Sequence, residues 1–219
     1  MDIRISRLHF PVTTLGPGQR IGIWLQGCSI RCPGCISADT WNADSGQATV
    51  EDVMTHLAQW LPAAEGITIS GGEPFEQPEA LVSLLAALRR VTPADILVYS
   101  GKPIEQLAPV LRHAAGYIDA LISDPFDLDA AHTMPLRGSD NQRLHLLTSL
   151  GVDRFSAYAQ PCKVQDKSLD VMFDSDGSVW FAGIPQRGDF LRLQEFLIDQ
   201  GHRVQISADK ARTTKAHRS

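Results

Sequence analysis

Between residues 66 and 123, short apolar runs alternate with helical patterns, and this alternation limits the fold more than any other feature of the chain. Gly66–Ser70 is a β-branched strand. Pro78–Arg90 follows as an amphipathic helix, with Leu81, Leu84, Leu85 and Leu88 at helical spacing. Asp95–Ser100 reads as a strand, Ile104–His113 as a helix and Ile118–Ser123 as a strand; Arg143–Leu147 is a further short strand. Strands separated by helices in this way imply βαβ units and a parallel sheet. Upstream, residues 4–12 alternate like an edge strand, 14–20 are a Gly/Pro turn, and 21–27 form the first core strand. Thr49 caps a helix over 50–61, with Glu51 and Asp52 in its first turn, where acidic groups suit the helix dipole. In parallel sheets, ligands gather at the carboxyl ends of the strands.

The loop after the first core strand carries Cys28, Cys32 and Cys35 in the run GCSIRCPGC, a CxxxCxxC spacing. Three thiolates on one tight loop can hold three corners of a [4Fe–4S] cube and leave the fourth iron open. A structural zinc site wants four ligands, usually as two pairs. The fourth cysteine, Cys162, lies far along the chain, and the seven histidines show no knuckle spacing near the triplet. A disulfide framework wants an even set and a secretory context, and no signal-peptide pattern precedes Cys28. The triplet by itself leaves cluster and zinc as the readings. Pro33 stiffens the turn, and Gly34 admits backbone angles closed to other residues, so that amides can face a cluster. Arg31 either balances cluster charge or is a solvated loop residue. One helix later comes SGGEP at 70–74, whose glycines and Glu73 carboxylate suit a cationic amine; alone it is only a turn.

Taken together, WLQGCSIRCPGCISADTW at 24–41, ITISGGEPFEQ at 67–77 and RGSDNQ at 137–142 resemble the radical S-adenosylmethionine (SAM) superfamily, and within it the activating enzymes of glycyl radical enzymes, including the anaerobic ribonucleotide reductase activators. The likeness covers roughly residues 15–150. It implies a partial, open (β/α) barrel of radical SAM type, an α/β fold, here followed by a small C-terminal α+β appendage. It implies a [4Fe–4S] cluster on Cys28, Cys32 and Cys35, with SAM chelating the open iron. Gly71, Gly72, Glu73 and Pro74 would contact the amino group of SAM, and Ser100, after Tyr99 and before Gly101, would lie near its carboxylate or ribose. Arg137, Ser139, Asn141 and Gln142 become site candidates, against the plainer reading of a polar loop. Asp124 stands where relatives have an acidic residue followed by Gly-Pro; here the run is SDPFD, and a helix cap is the plainer reading. Trp24 and Trp41 flank the cysteine loop, near adenine or in the core. The resemblance further implies SAM cleavage to a 5′-deoxyadenosyl radical, a glycyl radical enzyme as protein substrate, and flavodoxin or ferredoxin as electron donor. The alternative is direct modification of a small molecule, a peptide or a nucleic acid. From another class altogether, the chain would be a redox or zinc-binding module without catalysis.

At 219 residues the chain accommodates one well-buried domain and not two large ones. A net charge of −5 does not indicate a broad nucleic-acid surface. No apolar run has the length of a membrane span, no lipidation motif is present, and an iron–sulfur loop favours the reducing cytoplasm. Residues 1–167 are expected to form the core and 168–207 the appendage. In the appendage, Leu169–Asp174 and Val179–Ala182 make a hairpin around SDG, Asp189–Asp199 a helix ended by Gly201, and Val204–Ile206 a strand. The tail at 208–219 is basic, poor in apolar residues and expected to be disordered. Cys162 reads as an incidental thiol, and His56, His113 and His145 fall in regular elements with no ligand role.

Overall fold

The computed structural model describes residues 1–161, 168–173 and 179–203. Along them run β1 (Asp2–Val12), β2 (Arg20–Leu25), β3 (Gln47–Thr49), α1 (Val50–Leu57), β4 (Gly66–Gly71), α2 (Pro78–Val91), β5 (Asp95–Tyr99), α3 (Ile104–His113), β6 (Ala120–Ser123), β7 (Arg143–Leu146), α4 (Ser149–Phe155), β8 (Leu169–Phe173), β9 (Val179–Gly183) and α5 (Asp189–Asp199). Seven strands form one sheet in the order β3-β1-β2-β4-β5-β6-β7. Its middle four, β2, β4, β5 and β6, are parallel. On either side, β1 is antiparallel to β2 and β7 is antiparallel to β6. The end strands β3 and β7 do not pair with each other, so the sheet stays unclosed. The fold is a partial, open (β/α) barrel with a C-terminal α+β region.

Alternate residues along each strand face opposite ways. On the outer face, Ile21, Ile23, Ile67, Ile69, Ile96, Val98 and Leu121 pack under α1, α2 and α3 through Leu57, Leu84, Leu85 and Leu107, all buried. The expected apolar stripe of α2 is the stripe it buries. Thr49 caps α1 in a reciprocal capping box with Asp52; the helix stops at Leu57, short of the expected residue 61, and 58–63 continue as turns.

The inner face carries Arg20, Trp24, Thr68, Leu97, Tyr99, Ala120 and Ile122. At the amino end of the parallel strands it is closed by charge. Arg20, fully buried, donates to Asp95 Oδ1 at 2.6 Å, Thr68 Oγ1 at 2.7 Å and the Ile67 carbonyl at 2.8 Å. Arg154 from α4 reaches the other oxygen of Asp95 at 2.9 Å. Gly66 is required here, since a Cβ would sit 2.0 Å from the Arg20 guanidinium.

The segment 4–12 lies at the sheet edge over most of its length: Ile5–Val12 pair on one side only, with β2, and β3 covers the other side at Asp2–Arg4 alone. That short cover, Gln-Ala-Thr, is too brief to show a period in sequence. One expectation needs correction: Asp124 is not a helix cap, because no helix follows it; it adopts φ 82° and binds Arg143 at 2.6 Å.

The C-terminal strands β8 and β9 form their own antiparallel pair. They do not stand apart from the sheet. Met172 and Ala182 join Val12, Leu15 and Trp24 in a second apolar cluster on the inner face, with Trp180 and Ile184 against it. Trp180 meets Trp24 edge-on at 4.6 Å between ring centroids, and Arg7 stacks over Trp180 at 4.6 Å. Asp170 fixes the hairpin by accepting from the amides and hydroxyls of both Thr13 and Thr14. The expected SDG turn, the strand at 204–206, Cys162 and the tail at 208–219 lie outside the described residues. Among the described residues no helix is long and apolar enough to cross a membrane.

Candidate cluster and cofactor site

Because β2, β4, β5 and β6 are parallel, the loops that leave them emerge on one rim. The cysteine loop leaves β2. Its base is tied to a 3-10 turn over Ala38–Trp41: Gly27 N–H donates to the Thr40 carbonyl at 2.7 Å, and Cys28 N–H to the Trp41 carbonyl at 3.2 Å. Gln26 braces the same turn through Nε2, which donates to the carbonyls of Asp39 and Asn42. Within the loop, Cys35 N–H bonds back to the Cys32 carbonyl at 3.2 Å. Gly34 has φ 76°, as expected for a residue freed of Cβ strain, while the exposed Arg31 is held at φ 51°.

The loop after β4 lies directly on the cysteine loop. Gly72 N–H donates to the Leu25 carbonyl at 2.7 Å and Glu73 N–H to the Gly27 carbonyl at 2.8 Å. A Cβ on Gly72 would lie 2.1 Å from the Gly27 carbonyl oxygen, so the two loops touch backbone to backbone only because glycine stands there. Pro74 opens a 3-10 turn in which Glu76 accepts from both the amide and the hydroxyl of Ser29. Glu76 lies inside the ITISGGEPFEQ run, yet its part in holding the cysteine loop was not read from the sequence.

Glu73 is 1% exposed. Its carboxylate accepts from Phe75 N–H at 3.0 Å, Ser100 Oγ at 2.9 Å and Gly101 N–H at 2.8 Å. Burial pushes its pKa up, and these donors offset part of that rise. Ser100 is thus joined to the second loop, and Ile30 of the cysteine loop packs at Gly101.

The fourth wall comes from residues 124–142. RGSDNQ organises it from within. Ser139 Oγ accepts from Asp127 N–H at 3.0 Å, Asn141 donates to the Pro125 carbonyl at 2.8 Å, and Gln142 donates to the Asp124 carbonyl at 3.1 Å while accepting from Gly138 N–H. Arg137 is 5% exposed; one terminal nitrogen donates to the Tyr158 carbonyl at 3.1 Å, and its buried Nε has no partner. Trp24 belongs to the inner-face core, whereas the Trp41 side chain lies beside Cys35 and works to lower its thiol pKa.

Burial raises all three thiols, Cys35 to about 11, and each of Cys32 and Cys35 is raised further by another cysteine of the loop. Backbone amides and the Trp41 side chain point at the sulfurs and partly counter this. Such a set favours thiolates only when positive charge sits among them. Among the described residues, no three His, Cys, Asp or Glu side chains converge as ligands of one metal ion. Ligands of a cube need not converge, since each addresses a different iron. The donor set fits a cluster in its chemistry: three soft sulfurs on one loop, ringed by N–H donors.

The profile of the 4Fe–4S single cluster domain family matches residues 14–145. The chain belongs to the radical SAM family of glycyl-radical-enzyme activases. It is 33% identical over 138 residues to the anaerobic ribonucleoside-triphosphate reductase-activating protein of Enterobacteria phage T4, spanning 59% of this chain and 85% of that protein. It is 30% identical over 149 residues to the protein of the same name from Escherichia coli K12, spanning 64% of this chain and 96% of the relative. The pyruvate formate-lyase-activating enzyme of Clostridium pasteurianum is 40% identical over 75 residues, 32% of each chain. The family match ends before α4, so the inner-face hairpin lies beyond it.

Proposed function

We propose that the chain is a radical SAM enzyme that carries a [4Fe–4S] cluster on Cys28, Cys32 and Cys35, binds SAM against Gly71–Pro74, and installs a glycyl radical on a partner enzyme. The observation that carries this reading is the backbone contact between the three-thiol loop and the GGEP loop, in a chain related to activating proteins. When bound, reduced cluster and SAM supply a 5′-deoxyadenosyl radical, an oxidant that no acid–base side chain provides. The protein's own residues do the rest. Gly71 and Gly72 keep the second loop low enough for a cofactor to bridge both loops. Glu73 and the strand-end carbonyls offer negative charge to an ammonium group, and the buried Arg137 offers positive charge to a carboxylate. Flavodoxin or ferredoxin would supply the electron, and the site belongs to a cytoplasmic enzyme.

One observation favours direct modification of a smaller substrate. The β8–β9 hairpin covers part of the inner face, and reactive intermediates need enclosure from water. Anaerobic reconstitution separates these readings. Cys28→Ala, Cys32→Ala and Cys35→Ala should each lose iron, sulfide and 5′-deoxyadenosine formation, and Cys162→Ala should lose none of them. A candidate glycyl radical partner should then gain a glycyl radical resonance signal. If a small metabolite alone stimulates cleavage and no partner gains a radical, the direct-modification reading replaces the activating one. If the protein binds zinc and cleaves no SAM, both fail.

A further inference from the structure

One row of residues crosses the sheet just below the rim loops. Arg7 pairs with Trp24, Trp24 with Ser70, and Tyr99 with Ile122; Ile69 pairs with Val98, which brings Tyr99 level with Ser70. Each of Trp24, Ser70, Tyr99 and Ile122 is the last or next-to-last residue of its strand. The row therefore underlies the cysteine loop and the GGEP loop on the inner face. Trp180 of β9 is laid onto it from outside the sheet. Its ring meets Trp24 edge-on, carries the Arg7 guanidinium over it at 4.6 Å, and shares one apolar cluster with Tyr99. Both sides of this arrangement are pinned. Asp170 holds Thr13 and Thr14 beside β1, and Arg187 donates to the Ala130 carbonyl in the fourth wall. Trp180 is half-buried, so its ring is fixed and not fully covered. Phe173 and Val179 pair on the opposite face of the hairpin and are 78% and 46% exposed.

We infer that Trp180 is a specificity-determining residue: with Arg7 stacked on it, it forms the wall of the site that meets the partner's glycine-bearing segment. This rests on the activating reading above. Cysteine loop and GGEP loop lie within the family match at 14–145, and they serve what the relatives share. The hairpin lies beyond that match, so its one residue on the row serves what differs among activating proteins, the polypeptide acted upon. The chemistry suits that task. A tryptophan ring already held by its neighbours offers a large contact area and loses little freedom on binding. Glycine, with no side chain, lets a backbone approach such a ring closely. A bulkier residue at the same place would meet the ring and be refused.

The test uses full-length protein, anaerobically reconstituted, and two glycyl radical enzymes as partners: an anaerobic ribonucleoside-triphosphate reductase and a pyruvate formate-lyase. Radical yield on each is read by electron paramagnetic resonance, and the affinity for each by anaerobic surface plasmon resonance. Wild-type protein should favour one partner. Trp180→Ala should bind that partner about tenfold more weakly and lower the ratio of the two radical yields by about as much, the effect expected of truncating an aromatic anchor. Its iron and sulfide content should match wild type. Phe173→Ala, on the outward face of the same hairpin, should change neither affinity nor ratio. If Trp180→Ala loses its hairpin to proteolysis, Trp180→Leu carries the same test, because it keeps an apolar side chain against Trp24. Equal use of both partners by wild type, unchanged values in the Trp180 variants, a loss shared alike by both partners, or an effect confined to Phe173→Ala would overturn the inference and leave the activating reading standing. Wild-type protein that installs a radical on neither partner would overturn both.

Discussion

Glu73 offers the sharpest perturbation, because one buried carboxylate ties the second loop to the end of β5. Glu73→Ala removes the acceptor of Phe75 N–H, Ser100 Oγ and Gly101 N–H at once. Each buried donor left without a partner costs about 1–3 kcal/mol, and water entering the cavity recovers part of it, so roughly 3–5 kcal/mol of stability should be lost. Glu73→Gln is the informative companion. Its oxygen can still serve Phe75 and Ser100, and only the Gly101 amide then faces another donor, a loss of about 1–2 kcal/mol. Charge adds a pH signature. Burial raises the Glu73 carboxyl above its usual 4.5, so the folded state holds that proton more tightly than the unfolded chain does. Wild-type stability should therefore fall as the pH rises through the unfolded value toward the folded one, and then level off. The Gln variant lacks this slope. Urea denaturation of the cluster-free protein at several pH values reads both effects, and SAM titration of the reconstituted protein reads the cofactor side. A charge-assisted contact to SAM predicts about ten- to a hundred-fold weaker binding in Glu73→Gln. Equal stabilities for all three proteins, with no difference in pH slope, would refute the reasoning.

Further outcomes follow from the same contacts. Asp95→Asn strands the buried Arg20 guanidinium and should cost about 3–5 kcal/mol by denaturation, whereas an exposed ion pair such as Arg143–Glu105 contributes little. Gly72→Ala forces a Cβ against the Gly27 carbonyl and should block iron uptake while leaving far-ultraviolet circular dichroism intact. Asp170→Ala removes the acceptor for Thr13 and Thr14 and should loosen the hairpin by about 1–3 kcal/mol, seen as faster proteolysis within 168–183.

The parallel core was legible because its strands are β-branched and its helices carry leucines at a clear period; α2 and α3 begin where the pattern begins. The cysteine loop and GGEP were legible as neighbours because parallel strands send their loops to one rim. What stayed hidden was tertiary. Nothing in Gln47–Thr49 announces a strand, since pairing with β1 and not a period creates it. Nothing in SDPFDL marks Phe126, because its ring reaches Gly34 only when Ser139 and Gln142 fold the loop back. Glu76 was in plain view, but its bond to Ser29 depends on the turn that Pro74 starts. The glycines of GGEP were read as openings for a ligand. Their closest constraints prove to be the backbones of Leu25 and Gly27.

The bonds from Asp170 to Thr13 and Thr14 join residues 157 and 156 positions apart, so Thr13 and Thr14 wait for a partner made long after them. Synthesis runs from the amino terminus, and at roughly 5–20 residues per second the hairpin follows the last sheet strand by an interval on the order of seconds. During that interval the open sheet already has its partners, while Trp24, Val12 and Leu15 lack their cover. The newborn protein thus passes through a stage with its inner face bare and its cysteine loop already tied to the rim. Order of manufacture becomes order of assembly: scaffold first, cysteine loop next, cover last.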